Sequence, residues 1–210
     1  MFNIDTYNKI LQEIDVFKKK TKIIAVSKNH PRESVEIALK LGVRIFGENK
    51  VQEAKKKFDG LKTKYPNLKL HLTGPLQTNK VKEAMKIFDT FHTLDREKLA
   101  KQFVKVGNLD SKHFFIQVNT GREENKSGVY PEHLDEFISY CRIDLSLNVV
   151  GLMCIPPINE PPKEHFSVLV RESIKHNLPQ LSMGMSSDYI DAINLNATFI
   201  RIGTALFGQR

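Results

Sequence analysis

With 210 residues, 40% of them hydrophobic and 27% charged, the chain has the make-up of a soluble globular protein, and its 11 glycines and 9 prolines are too few for a disordered or fibrous one. It lacks the roughly 18 consecutive apolar residues of a membrane span, and its start, MFNIDTYNKILQEID, is amphipathic and unlike a signal peptide, so a cytoplasmic protein is expected. The net charge of +8 attracts anions without choosing among them; the runs Lys18-Lys19-Lys20 and Lys55-Lys56-Lys57 read as solvated helix faces with no interleaved aromatics, which argues against nucleic acid as a partner.

After the N-terminal helix, short apolar runs alternate with stretches of helical spacing. The first strand is predicted from Ile23 to Ser27, followed by a stripe of Val35, Ala38 and Leu39. A second strand, Arg44 to Gly47, precedes Val51, Ala54, Phe58 and Leu61. A third, Leu68 to Thr73, precedes Val81, Ala84, Met85 and Phe88. The fourth and fifth are Thr90 to Thr93 and His113 to Asn119, with Leu134, Phe137, Ile138 and Cys141 after them. The sixth, Val149 to Ile155, leads to Phe166, Leu169, Val170 and Ile174. The last two are Gln180 to Met183 and Thr198 to Ile202. Eight strands with helices between them fit one α/β domain over 1–210, a (β/α)8 TIM barrel with an extra N-terminal helix, better than an open doubly wound sheet, which usually has fewer strands.

Active sites of such barrels lie at the carboxyl ends of the strands, and polar or glycine residues collect there in this sequence. Lys28 follows the apolar run Ile23-Ile24-Ala25-Val26. Burial of its stem would disfavour the ammonium, the condition for an amine that condenses with an aldehyde, although position alone favours a solvated lysine. Ser182-Met183-Gly184-Met185-Ser186-Ser187 and Arg201-Ile202-Gly203-Thr204 follow the seventh and eighth strands, where this fold often receives a phosphate on hydroxyls and backbone N–H groups. Ser186 and Ser187 also fit simple helix caps. Arg201, beside that glycine, should point into the mouth and could pair with a carboxylate or donate to a ring nitrogen; Asn49 could hold a phenolic oxygen. His71, flanked by leucines, reads as a core or lining histidine. Cys141 and Cys154 read as buried thiols, and neither metal-ligand spacing nor a nicotinamide fingerprint occurs.

Taken in order, Ala25-Val26-Ser27-Lys28, Phe46-Gly47-Glu48-Asn49, His71-Leu72-Thr73-Gly74-Pro75-Leu76-Gln77-Thr78-Asn79-Lys80, Lys126-Ser127-Gly128, Leu181-Ser182-Met183-Gly184-Met185-Ser186 and Arg201-Ile202-Gly203-Thr204 resemble the pyridoxal phosphate homeostasis family over nearly the whole chain. The resemblance implies a barrel like the N-terminal domain of alanine racemases and pyridoxal 5'-phosphate as cofactor, with Lys28 as the Schiff-base lysine. It places Asn49 beside the cofactor ring, Arg201 at the pyridine nitrogen, and Ser186, Gly203 and Thr204 at the phosphate. The 120–125 loop departs from the family's acidic version, which leaves the Lys126 loop without an assigned role.

Three functions compete. One is a non-enzymatic, monomeric carrier of pyridoxal phosphate that serves cofactor homeostasis, binding amino acids and passing the cofactor to apo-enzymes. An arginine at the pyridine nitrogen would restrain the ring as an electron sink and favours this reading. The second is an amino-acid racemase, which needs a base on each substrate face; in racemases one comes from a partner's added domain, which this chain is expected to lack. The third is an aldolase-like barrel that would use Lys28 on a phosphorylated sugar.

Overall fold

The computed structural model describes residues 2–209. Eight parallel strands, each hydrogen-bonded to the next in sequence order, close into a barrel in which β8 pairs with β1, so the open-sheet alternative does not apply. The strands are β1 (Lys22–Val26), β2 (Ile45–Glu48), β3 (Lys69–Leu72), β4 (Thr90–Leu94), β5 (His113–Val118), β6 (Val149–Cys154), β7 (Gln180–Ser182) and β8 (Phe199–Ile202). Every predicted strand is found with its ends displaced by about one residue. The polar residue assigned to a strand end, such as Ser27, Thr73 or Asn119, instead opens the following loop.

Helices α1 (Ile4–Val16), α2 (Arg32–Lys40), α3 (Val51–Phe58), α4 (Leu61–Lys64), α5 (Val81–Ile87), α6 (Glu97–Val106), α7 (Leu134–Ser139), α8 (Pro162–Lys175), α9 (Tyr189–Asn194) and α10 (Thr204–Phe207) complete the fold. Helix α1 starts at Asn3, whose Oδ1 accepts the N–H of Thr6 at 2.9 Å and so satisfies one of the donors left open at a helix start. Its buried Ile10 and Ile14 face the core, and Asn3 N–H donates to the carbonyl of Leu206 at 2.7 Å. Phe2 packs edge-on against Phe207 with ring centroids 5.2 Å apart. The first helix thereby holds the last turn, which carries Thr204.

The fold has two apolar regions because a barrel strand is buried on both faces. Outward-facing residues such as Ala25, Phe46, Leu70 and Leu72 meet the helix stripes in the large outer core, while Ile24, Val26, Phe115, Met153 and Phe199 fill the barrel. Strands β6 and β7 approach closely at Gly151, where an added Cβ would lie 2.0 Å from the carbonyl oxygen of Gln180.

Two sequence expectations fail. Ile174 is exposed, because α8 turns that position to solvent near its end. Lys57 is not on a solvated face: it is buried beneath α3 against β2, where Glu48 and Glu53 neutralise it. Lys55 and Lys56 beside it are exposed as expected. Cys141, in a π-helical turn after α7, and Cys154, at the end of β6, are both buried thiols.

Candidate functional site

At the carboxyl ends of the strands a cavity of about 290 Å³ is lined by Lys28, Asn49, Ser186, Arg201, Gly203 and Thr204, all six of the candidate residues read from the sequence. Val26, His30, Thr73, Ile155, Met185 and Ser187 complete the wall.

Lys28 is half-buried and sits between two anchored neighbours. Lys57 Nζ donates to the carbonyl oxygen of Ser27 at 2.6 Å, to Glu48 Oε1 at 2.7 Å and to Glu53 Oε1 at 2.9 Å. Ser27 Oγ donates to Glu48 Oε1, and the N–H of Asn29, a residue held at φ +62°, donates to Glu53 Oε1. Burial pushes the Glu48 carboxyl up, against the pull of Lys57, and its Oε2 has no hydrogen-bond partner. Burial acts the same way on Glu53, but the hydrogen bonds from Lys57 and Asn29 and the charge of Lys57 outweigh it and hold this carboxyl below its ordinary value.

The far wall consists of the loops after β7 and β8. Asp188 Oδ1 accepts the N–H of Met185, and Gly184, at φ +91°, turns the chain where a Cβ would lie 2.5 Å from that of Ala192. Ser186 and Ser187 therefore do not cap α9; Asp188 occupies that position. Among the described residues, the N–H groups of Ser186, Ser187 and Gly203 and the hydroxyls of Ser186, Ser187 and Thr204 donate to no protein acceptor. Six such donors on one cavity wall suit a multiply charged oxyanion.

Arg201 is buried and carries its charge without a hydrogen-bonded carboxylate. Its Nη1 donates to the carbonyl and Oγ of Ser182 at 2.8 and 2.9 Å, and its Nη2 donates to the Cys154 carbonyl at 2.9 Å. Burial lowers its pKa, opposed by Cys154 and Asp188. Three of five guanidinium N–H groups are thus fixed, and two remain for the cavity that Arg201 lines. The Oδ1 of Asn49 accepts from Thr73 Oγ1 at 3.0 Å, which leaves the amide NH2 as its unoccupied end. An added Cβ at Gly74 would lie 2.5 Å from the Asn49 carbonyl oxygen, so glycine is required there.

Sequence reasoning placed Thr73, Met185 and Ser187 in strand-end motifs without giving them a task of their own, and it missed His30 and Ile155. Ile155 carries no chemical signal. The Lys126 loop lines a neighbouring cavity of about 630 Å³ that shares Thr73, Ile155 and Met185 with the first. Asp135, Glu172 and His176 are the metal-type grouping among the described residues; they lie on the outer helices, and both Asp135 oxygens already accept from Lys175 at 2.6 Å.

Residues 6–210 match the family described as the N-terminal domain of alanine racemase. The chain is 41% identical over 200 residues to the pyridoxal phosphate homeostasis protein of Aquifex aeolicus, covering 90% of this chain and 87% of that one, and 37% identical to the Schizosaccharomyces pombe protein of the same name, with 90% and 84% covered. PipY of Synechococcus elongatus, solved with PLP bound, superimposes with a TM-score of 0.79 at 33% identity, covering 90% of this chain and 93% of that one. An alanine racemase of Clostridium difficile shares the fold at a TM-score of 0.73 and 15% identity, with this chain spanning 58% of its length. The chain belongs to the pyridoxal phosphate homeostasis proteins, within the alanine racemase N-terminal domain family.

Proposed function

We propose that this chain binds pyridoxal 5'-phosphate in the mouth cavity, attached through Lys28, and serves cofactor homeostasis as a monomeric, non-enzymatic carrier and buffer. The observation that carries this reading is that Lys28 and six oxyanion donors without a protein acceptor line one cavity of about 290 Å³ together with Asn49 and Arg201. The names of the curated relatives and the cofactor in PipY support it. When bound, the cofactor supplies an aldehyde for the amine and a ring that withdraws electrons from it.

Each residue has a task in this reading. Ser186, Gly203 and Thr204 receive the phosphate. The Asn49 NH2 holds the phenolic oxygen. Arg201 directs a remaining N–H at the pyridine nitrogen and, being permanently cationic, disfavours protonation there. Carbanion chemistry is thereby weakened while binding is retained, as suits a protein that hands its ligand to apo-enzymes and binds amino acids without turning them over.

An absorption spectrum of the purified protein, repeated after borohydride reduction with mapping of the modified residue, tests the attachment. A near-visible band and modification of Lys28 are expected; no band, or the same band in Lys28→Ala, overturns the assignment, and a band-free protein that traps a phosphorylated sugar favours the aldolase-like reading. Incubation with L-alanine in deuterated water separates carrier from racemase: rapid exchange of the α-proton with formation of the D-isomer overturns the carrier.

A further inference from the structure

A chain of hydrogen bonds runs down the barrel axis from Arg201. Arg201 Nη1 meets Ser182 Oγ at 2.9 Å, Ser182 Oγ meets His92 Nδ1 at 2.8 Å, and His92 Nε2 meets His71 Nδ1 at 2.9 Å. A guanidinium can only donate, so Ser182 Oγ accepts from Arg201; a hydroxyl can accept twice, so the two histidines have two consistent arrangements of their hydrogens. In the arrangement where Ser182 Oγ donates to His92 Nδ1, His92 carries its hydrogen on Nε2 and donates to His71 Nδ1, His71 keeps an Nε2–H, and every dipole points away from Arg201 and toward the amino ends of the strands. Burial lowers both histidines, His71 to about 3 and His92 well below its ordinary value, so both rings stay neutral across the physiological range.

His71 lines a second cavity, of about 240 Å³, at that end of the barrel, and its Nε2 hydrogen-bonds to no described residue. The rim carries Lys22, Lys69 and His113, with Gln180 as a neutral donor. The one carboxylate there, Asp89, is already matched: its Oδ2 accepts from Lys62 Nζ and the N–H of Leu70, each at 2.8 Å. We propose that the histidines take this Arg201-to-His71 arrangement and that the amino-end cavity binds a small oxyanion of the phosphate or carboxylate class, held by the His71 Nε2–H and the rim lysines, and linked through His92 and Ser182 to Arg201. Aligned hydrogen bonds polarise one another, so an acceptor at the His71 end strengthens the acceptance of Arg201 by Ser182 at the other. By reciprocity, a ligand on the free donors of Arg201 changes the anion's affinity by the same factor. The site stands apart from the cofactor reading, since it uses none of the groups assigned to the phosphate of pyridoxal phosphate.

Titration of 15N-histidine- and 15N-arginine-labelled protein with inorganic phosphate, followed by NMR, tests the proposal. The His71 Nε2 resonance should move saturably, with His92 and Arg201 Nε following at the same apparent affinity. Lys22→Gln with Lys69→Gln, both exposed in the fold, should weaken that affinity about tenfold. Ser186→Ala with Thr204→Val should leave it unchanged, which separates this site from the mouth. In the Ser186→Ala/Thr204→Val background, which weakens phosphate at the mouth, Ser182→Ala should keep the His71 response and abolish that of Arg201. A non-saturating drift, or a response indifferent to the lysines, overturns the site, and an Arg201 response that survives Ser182→Ala overturns the linkage. Loss of pyridoxal phosphate binding with these responses intact would count against the proposed function and leave this site standing.

Discussion

The buried histidine pair should make the protein acid-sensitive in a defined window. His71 stays neutral in the fold because burial depresses its pKa from the ordinary 6.5 to about 3; Asp89 pulls the other way, and His113, Lys62 and Lys69 add to the depression. Below pH 6.5 the unfolded chain takes up a proton that the folded chain refuses. The stability from this group is therefore complete above about 6.5 and is lost progressively as the pH falls toward about 3, at about 1.4 kcal/mol per pH unit. At a pH two units below 6.5 the loss reaches about 2.7 kcal/mol from His71. His92 is shifted in the same direction, by burial first and then by His71 and Arg201, and can at most double that figure. Against a total stability of about 5–15 kcal/mol this is a large fraction.

Urea unfolding followed by circular dichroism, at pH values from neutral to mildly acid, measures the effect when the wild type is compared with His71→Gln/His92→Gln. The variant loses hydrogen bonds and starts less stable, but its stability should fall less steeply below pH 6.5. The carboxylates, including the depressed Glu53 and the raised Glu48, titrate in both proteins and cancel in the difference. Parallel pH profiles for the two proteins would refute the neutral buried pair.

Removing the buried ammonium in Lys57→Met leaves Glu48 and Glu53 facing each other without a cation, and urea unfolding should report a loss of about 3–5 kcal/mol, partly recovered by adding Glu48→Gln. Gly151→Ala forces a methyl group to within 2.0 Å of the Gln180 carbonyl unless β6 and β7 separate, so a destabilisation of about 1–3 kcal/mol or more is expected, and an unchanged melting temperature would contradict the register. Burial pushes both Cys141 and Cys154 up to about 12, so a disulfide reagent at mildly alkaline pH should label them only at the rate of unfolding; a fast phase in the native protein would place one at the surface.

The strands were legible because residues buried on both faces read as continuous apolar runs, and the mouth was legible because hydroxyls and glycines interrupt those runs at their carboxyl ends. His71 could be read as a lining residue from strand alternation alone, with Leu70 and Leu72 turned out to the helices. Its partner could not: His92 lies 21 positions away on the next strand, and only the pairing of β3 with β4 brings His71 Nδ1 and His92 Nε2 to 2.9 Å. Lys57 was illegible for a related reason. Three consecutive lysines look alike in sequence, and although Lys57 alone stands four residues after a glutamate, Glu53, its burial depends on Glu48, which β2 places beneath it. Ile174 erred the other way: the buried stripe of α8 continues through Glu172 and Ser173, and Ile174 stands beside it on the face turned to solvent.

The cluster under Lys28 bears on how that lysine can act. With both carboxylates ionised, Glu48, Glu53 and Lys57 would sum to one negative charge beside Ser27 and Asn29, and a negative field stabilises an ammonium at the expense of the nucleophilic amine. Burial opposes this outcome by pushing the Glu48 carboxyl up. As Glu48 shifts toward its neutral form, the cluster approaches a single Lys57–Glu53 ion pair with no net charge, while the hydrogen bonds to Ser27 and Asn29 that fix the loop remain. Rigidity and charge are thus set by different members: Lys57 and Glu53 hold the backbone on either side of Lys28, and Glu48 sets the net charge of the cluster.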